Sequence, residues 1–511
     1  MSAAGFDNRE AVDVVVIGTG AGGAPLIAEL AQAGRSVVAL EAGPSFEPKR
    51  FTPDEPTASE IYWLHERLSG GETPQAFGGN NSGTGVGGSL LHYGAFMPRM
   101  DPRDFTLHSE TGKGVDWPFG ADELMPWIAR VEAEIGVSGP TPYPWGVPRT
   151  YAYAPPTRNA PAQIMARGCE TLGITCKDAP AAVITAERDQ PEFGVRHACV
   201  NCGACHQGCR NDAKSGVHNT YLPVARAHGA DIRPGCMATG IVLDGRGRVE
   251  AVIYVEGGVE KRQACRALVL AAGAVETARL LLHTGLANSS DQVGRNYMTH
   301  VSTQVWGTFD EETRPNHGYP SALITEDMMR PADADFVGGY LMQSLGMMPA
   351  TWGSLVARAR GLWGPGLTRY LRHYNHVAGL GINGECLPRP ENRVTLSAER
   401  DAMGLPKPRI DHSYGPNEIA MHNHATRVMT RIWEAAGARD IWAADRAAHM
   451  IGTCRMGTDA STSVVDPHGR SHDIDNLWIC DHSIFPSAAA ANPALTIMAL
   501  SLRTAQAIQQ S

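Results

Sequence analysis

Apolar and polar positions along the chain fall into two rhythms, one of strands and one of helices. Residues 12–17, VDVVVI, form a short β-branched run that meets glycine, which predicts a parallel strand buried on both faces. After GTGAGGAP the segment LIAELAQAG has helical spacing and closes at Gly34, and SVVALEAG then predicts a second buried strand that ends at Glu41. These pieces make one βαβ unit. Residues 239–256, TGIVLDGRGRVEAVIYVE, alternate and turn at glycine as a hairpin does, and ALVLAAGAVETARLLLHTG returns as strand, turn and helix. From about residue 301 to 445 the texture changes to irregular segments with aromatics and methionines, which predicts a second domain. The last stretch, NPALTIMALSLRTAQAI, reads as an amphipathic helix that Pro493 can start.

Composition narrows what such a fold serves. With 511 residues, 43% of them hydrophobic, the chain can bury a large core and build more than one folding unit. Charged residues make up 19% and the net charge is −9, so no basic face of the kind nucleic acid requires is expected. No stretch approaches the ~18 apolar residues that span a bilayer. The start, MSAAGFDNREAVDVVVIG, lacks the basic and apolar regions of an export signal, so a soluble, cytoplasmic chain with no transmembrane segment is expected. Of eleven cysteines, seven (Cys169, Cys176, Cys236, Cys265, Cys386, Cys454 and Cys480) stand alone, which predicts reduced thiols plus one cluster rather than a disulfide framework.

Candidate chemistry begins at Gly18, Gly20 and Gly23, a GxGxxG set placed after a predicted strand and at a predicted helix start. The glycines allow a tight turn and close approach of a pyrophosphate, and Glu41, 23 residues beyond Gly18, can accept from ribose hydroxyls. FAD and NAD use this fingerprint alike, so it does not choose between them. Between residues 68 and 100 glycine is dense (SGGETPQAFGGNNSGTGVGGSLLHYGAFMPRM), which predicts backbone passing close to a flat or charged ligand.

The cysteine cluster is CVNCGACHQGC, in which Cys199, Cys202, Cys205 and Cys209 follow a C-x2-C-x2-C-x3-C spacing within eleven residues. One loop of that length can wrap a cubane-sized group, and soft thiolates suit iron–sulfur or zinc. The spacing matches the bacterial ferredoxin run, except that Arg210 replaces its proline; zinc sites more often join two C-x-x-C pairs across a longer loop. A metal-free structural loop is the third reading.

Residues 447–500, AAHMIGTCRMGTDASTSVVDPHGRSHDIDNLWICDHSIFPSAAAANPALTIMAL, resemble the C-terminal signature of the glucose-methanol-choline (GMC) oxidoreductases. GVGGSLLHYGAF at 85–96, AAGAVETARLLL at 271–282, VGRNYMTH at 293–300 and ECLPRPENRVTL at 385–396 carry the same resemblance over nearly the whole chain. It implies an α/β fold with an α+β substrate part: a Rossmann-like FAD-binding domain from 1–300 and 445–511, with the cysteine loop at 197–216, and a substrate-binding domain at 301–444. It implies FAD rather than NAD, and oxidation of an alcohol or sugar hydroxyl by hydride transfer to the flavin. The two residues that face the flavin in that family fall here on His449 and Asn492. Chemistry agrees: a histidine can take the hydroxyl proton near neutral pH, and an amide can hold the same oxygen without competing for that proton. Asn is also favoured as the cap of the helix that follows, a role compatible with the first.

The resemblance places Gly88 and Ser89 at the cofactor and Asp481 against the flavin diphosphate and ring, while His482 reads as a surface residue. His92 is where some relatives bind FAD covalently and others do not. Membrane-associated sugar dehydrogenases of the family carry an iron–sulfur cluster in the flavin subunit and pass electrons to a cytochrome. A three-iron or four-iron cluster on the four cysteines would serve that exit to a cytochrome or quinone, and related subunits are exported to the periplasm on a small signal-bearing partner. Long-chain alcohol oxidases share a GC-x-x-x-x-K segment, here GCRNDAKSG, so an oxidase with a structural cysteine loop is the alternative. A non-redox flavin lyase or decarboxylase is another.

Two further segments bear on the substrate side. Five of eighteen methionines fall between Met328 and Met348, read as a lid packing on its own core rather than a pocket wall. Arg358, Arg360, Arg369 and Arg372 in SLVARARGLWGPGLTRYLRHYNH read as a solvated helix face.

Overall fold

The computed structural model describes residues 5–47, 53–63, 66–75, 82–332, 334–446 and 448–511. The β-branched runs Val12–Ile17 and Val37–Glu41 lie parallel, with Val14 opposite Val37. Both carry apolar side chains on each face, and only a sheet covered on both sides buries them all. Strand Val259–Leu270 completes the centre. Its second half runs parallel to the first strand, Val12 opposite Cys265 and Ile17 opposite Leu270, while its first half pairs antiparallel with Val249–Glu256. The hairpin is formed by Cys236–Leu243 and Val249–Glu256, and Asp231–Pro234 and Leu477–Ile479 join as further parallel strands.

The closing helix, Ala494–Gln510, departs from the amphipathic expectation: every residue from Leu495 to Ala505 is buried. Helices Gly23–Gln32 and Ala121–Ile135 both pack on it, so its polar positions need partners inside the protein. They have them. Ser501 Oγ accepts from Leu26 N (3.1 Å) and Thr504 Oγ1 donates to His468 O (2.9 Å).

A second, antiparallel sheet has six strands in the order Arg439–Asp445, Thr303–Thr308, Val377–Gly384, Tyr340–Leu345, Leu323–Thr325 and Lys177–Asp178. Its last strand and helix Ala160–Thr171, which packs on the sheet, come from earlier in the chain. Met342 is buried within Tyr340–Leu345, not in a lid, and Met347 packs on the Trp306–Trp352 cluster. Arg360 lies on helix Pro349–Arg360 and pairs with Asp440 at 2.7 Å.

The parallel strands deliver Ile17, Glu41, Leu270 and Ile479 to one edge of the first sheet, the usual place for a ligand in an open α/β sheet. A large cavity opens there, bounded on its other side by Gln343, Leu345 and Asn383 of the second sheet.

Candidate active site

At one end of the cavity the first strand turns into its helix through Gly18, Thr19 and Gly20. Gly18 has φ +99°, and a side chain there would sit 2.4 Å from Ala271 O; one on Gly88 would sit 2.8 Å from Gly20 Cα. The two glycine segments, distant in sequence, are therefore packed backbone against backbone. Glu41 accepts from Thr19 N (3.1 Å), Thr19 Oγ1 (2.7 Å) and Gly43 N (3.0 Å). Burial pushes its carboxyl up, and those donors oppose the shift. Ser89 Oγ accepts from Gly83 N at 3.0 Å. Residues 76–81 of the glycine-dense stretch lie outside the described residues.

Asp481 turns its carboxylate onto the protein. It accepts from Gly273 N (2.8 Å), Thr277 Oγ1 (2.6 Å) and Ser483 N (2.8 Å), tying the end of strand Leu477–Ile479 to helix Ala274–Thr284. His482 is not a surface residue: it lines the cavity and its Nε2 accepts from Ala274 N at 3.3 Å.

His92 is 4% exposed and lines the cavity, yet among the described residues neither ring nitrogen has a hydrogen-bond partner. Burial, with Lys214 nearby, lowers its pKa to about 3, so the ring is neutral. A cavity lined by a glycine turn at a strand–helix junction and by an orphaned buried imidazole fits a dinucleotide cofactor.

At the other end His449 and Asn492 meet, Asn492 Nδ2 lying 3.3 Å from His449 Nε2. His449 sits at φ +61°, a backbone region few side chains other than glycine adopt. Asn492 is not a helix cap. Pro493 takes that position, and Asn492 Oδ1 instead accepts from Asn383 Nδ2 at 2.9 Å.

Behind His449 stands His300, whose Nδ1 is 2.8 Å from His449 Nδ1. His300 Nε2 faces Ala488 O (3.2 Å) and Ala489 O (2.9 Å), which can only accept. This order fixes every proton. His300 carries its hydrogen on Nε2, its Nδ1 accepts from His449 Nδ1–H, and His449 Nε2 is left with a lone pair directed at Asn492. Burial, with His300 and Arg446 adding repulsion, holds His449 well below the usual histidine range, so it is neutral. The strap bearing Ala488 to Asn492 is itself pinned, since Ala489 N donates to Glu385 Oε1 at 3.0 Å.

The cysteine loop abuts this cavity. Among its members Cys202 is exposed and Cys199, Cys205 and Cys209 are half-buried. Asn201 N and Lys214 N each donate to a sulfur, Cys199 and Cys209, at 3.4 Å. His206 Nδ1–H donates to His92 O (3.1 Å), and its ring lines the cavity. Lys214 is 1% exposed and its ammonium joins the loop to the segment around His92, donating to Cys205 O (2.7 Å), Leu91 O (2.9 Å) and Tyr93 O (3.2 Å). Burial draws that ammonium down to about 8, against the pull of the Cys205 and Cys209 thiols. Among the described residues no three His, Cys, Asp or Glu side chains close on a single metal ion.

Two family models, both described as GMC oxidoreductase, match residues 80–302 and 388–501. The chain belongs to the GMC oxidoreductase family. This GMC oxidoreductase is 28% identical to the fructose dehydrogenase large subunit of Gluconobacter japonicus, over 97% of both chains. It is 29% identical to paromamine 6'-oxidase of Streptomyces fradiae, over 99% of this chain and 93% of that one. In fold it resembles formate oxidase of Aspergillus oryzae, with a TM-score of 0.73, 14% identity and 99% of each chain covered.

In this GMC oxidoreductase no motif marks the role of the residues that support the site. His300 closes the VGRNYMTH segment without a role attached, Asn383 hides in the apolar run VAGLGING, and Lys214 is the lysine of the GC-x-x-x-x-K segment, whose bonds to the His92 segment spacing does not show.

Proposed function

We propose that this GMC oxidoreductase is an FAD-dependent dehydrogenase that oxidises the CH–OH group of an alcohol or sugar and passes the electrons to an external acceptor such as a cytochrome or quinone. The observation that carries the reading is the His300–His449–Asn492–Asn383 chain, which leaves a lone pair and an amide donor side by side. A substrate hydroxyl entering between them donates its proton to His449 Nε2, while its oxygen accepts from Asn492 Nδ2. Asn383 holds the Asn492 carbonyl so that the amide hydrogens point at that oxygen. Bound FAD supplies the acceptor for the hydride that leaves the same carbon.

Gly18, Gly20, Gly23 and Glu41 would hold the adenosine half of FAD, with Gly88, Ser89 and the strand end at Asp481 beside it. The two partnerless, uncharged nitrogens of His92 support a covalent link to the flavin there. Acid precipitation of the holoenzyme is then expected to leave the yellow colour with the protein, and His92→Ala to move it into the supernatant. Colour released from the unaltered protein counts against the link.

Cys199, Cys202, Cys205 and Cys209 would hold an iron–sulfur cluster, which supplies one-electron transfer out of a two-electron site. Two backbone N–H groups on the sulfurs and the ammonium of Lys214 support an anionic cluster over a bare loop. Protein purified without air should contain iron and give an EPR signal on reduction, and Cys205→Ser should lower both. Absence of iron, with peroxide formed mole for mole with product in air, would replace the relay with an oxidase. The CH–OH reading itself falls if no alcohol or sugar bleaches the flavin anaerobically.

A further inference from the structure

Arg446 stands three residues before His449 and lines the same cavity. Its charge is felt by His92, His206 and His449, the histidines of the reacting end. Among the described residues no carboxylate, carbonyl or hydroxyl accepts from its guanidinium. The acids lining the cavity are already taken. Glu276 is bound by Arg67 (3.0 Å) and Arg279 (3.1 Å), Glu41 is held by Thr19 and Gly43, and Asp481 by Gly273, Thr277 and Ser483. Arg279 also pairs with Asp401 (2.6 Å), so Glu276 and Asp401 together balance Arg67 and Arg279, which leaves Arg446 as the cavity's one unmatched arginine among the described residues. Gln343 lines the cavity too, with its buried Oε1 unpartnered. Arg446 is half-buried rather than open to bulk water, a guanidinium facing a cavity without a counter-ion calls for an anion, and its planar fork matches a carboxylate or phosphate.

We propose that Arg446 reads an anionic group on the hydroxyl-bearing substrate, so that the enzyme prefers hydroxy acids, sugar acids or sugar phosphates to neutral alcohols and sugars. This assignment rests on His449 and Asn492 being the oxidising pair. The anion anchors one end of the molecule at Arg446 while the hydroxyl to be oxidised settles between His449 and Asn492. Such an anchor binds ground state and transition state alike, so its removal acts chiefly on KM.

The test uses holoenzyme mixed anaerobically with two matched sets: glycerol, glycerate and glycerol 3-phosphate; glucose, gluconate and glucose 6-phosphate. In at least one set an anion should bleach the flavin with kcat/KM about a hundredfold above its neutral counterpart. The carboxylate and phosphate members tell the two anion sources apart. Arg446→Met should remove the preference, raising KM for the anion more than it lowers kcat, and Arg446→Lys should keep part of it. Neutral compounds turned over as well as anionic ones, a preference that survives Arg446→Met, or loss of FAD from Arg446→Met each overturns the assignment. Binding to His449→Ala holoenzyme by calorimetry separates this from the CH–OH reading. There the better anion of each set must still bind more tightly than its neutral partner through Arg446, even where no compound bleaches the flavin; equal binding overturns the assignment independently of turnover.

Discussion

His449→Ala is expected to slow flavin reduction by substrate about a thousandfold, the scale of losing a positioned proton acceptor. The hydroxyl held by Asn492 would lose the lone pair set beside that amide, because Asn492 presents amide hydrogens and His300 Nδ1 lies behind the imidazole. FAD binding should survive, since the glycine turn and Glu41 lie at the other end of the cavity. The pH profile gives a second handle. His449 is held well below the ordinary histidine value by burial, so it is deprotonated above that depressed pKa and gains a proton only below it. The rate constant kcat/KM should therefore stay flat as pH falls through about 6.5, the unperturbed histidine value, and drop only in stronger acid. A thousandfold loss absent from His449→Ala, or an acid limb at the unperturbed value, would falsify the role of His449.

The second large effect concerns a residue that never reaches substrate. His300→Leu removes the acceptor for His449 Nδ1–H, leaving a buried donor unpaired and letting the proton move to Nε2, the wrong nitrogen for a base. A rate loss of about ten- to a hundredfold follows from that unsatisfied group. Mere packing damage would give no pattern across substitutions. A tautomer-setting role does, because His300→Asn can place an amide oxygen near the former Nδ1 and should recover part of the rate, whereas His300→Leu recovers none. Equal losses in both variants would make His300 structural only.

Much of this was legible along the chain. The run VDVVVI, the glycines at 18, 20 and 23 and the acid at Glu41 predicted a βαβ unit, and the strands and the turn stand where they were expected. The closing helix has an amphipathic sequence because its Ser and Thr residues look solvent-facing, whereas Gly22, Leu26 and His468 bond them inside the protein. His482 likewise needed a neighbour, Ala274 N, from more than two hundred positions earlier in the chain.

By itself the sequence determined the periodicity that makes a parallel sheet, the turn chemistry of the glycine loop and the spacing of the four cysteines, since these are local properties of residue type and spacing, while His449 and Asn492 came from the family resemblance. Only the tertiary structure decided which His449 nitrogen keeps its lone pair, that among the described residues His92 lies buried without a hydrogen-bond partner, that Lys214 ties the cysteine loop to the cavity and that among them Arg446 stands unmatched in the cavity that His449 and Asn492 line. The physical reason is that protonation, burial and charge balance depend on groups brought together across hundreds of residues, and spacing along one chain does not carry that information.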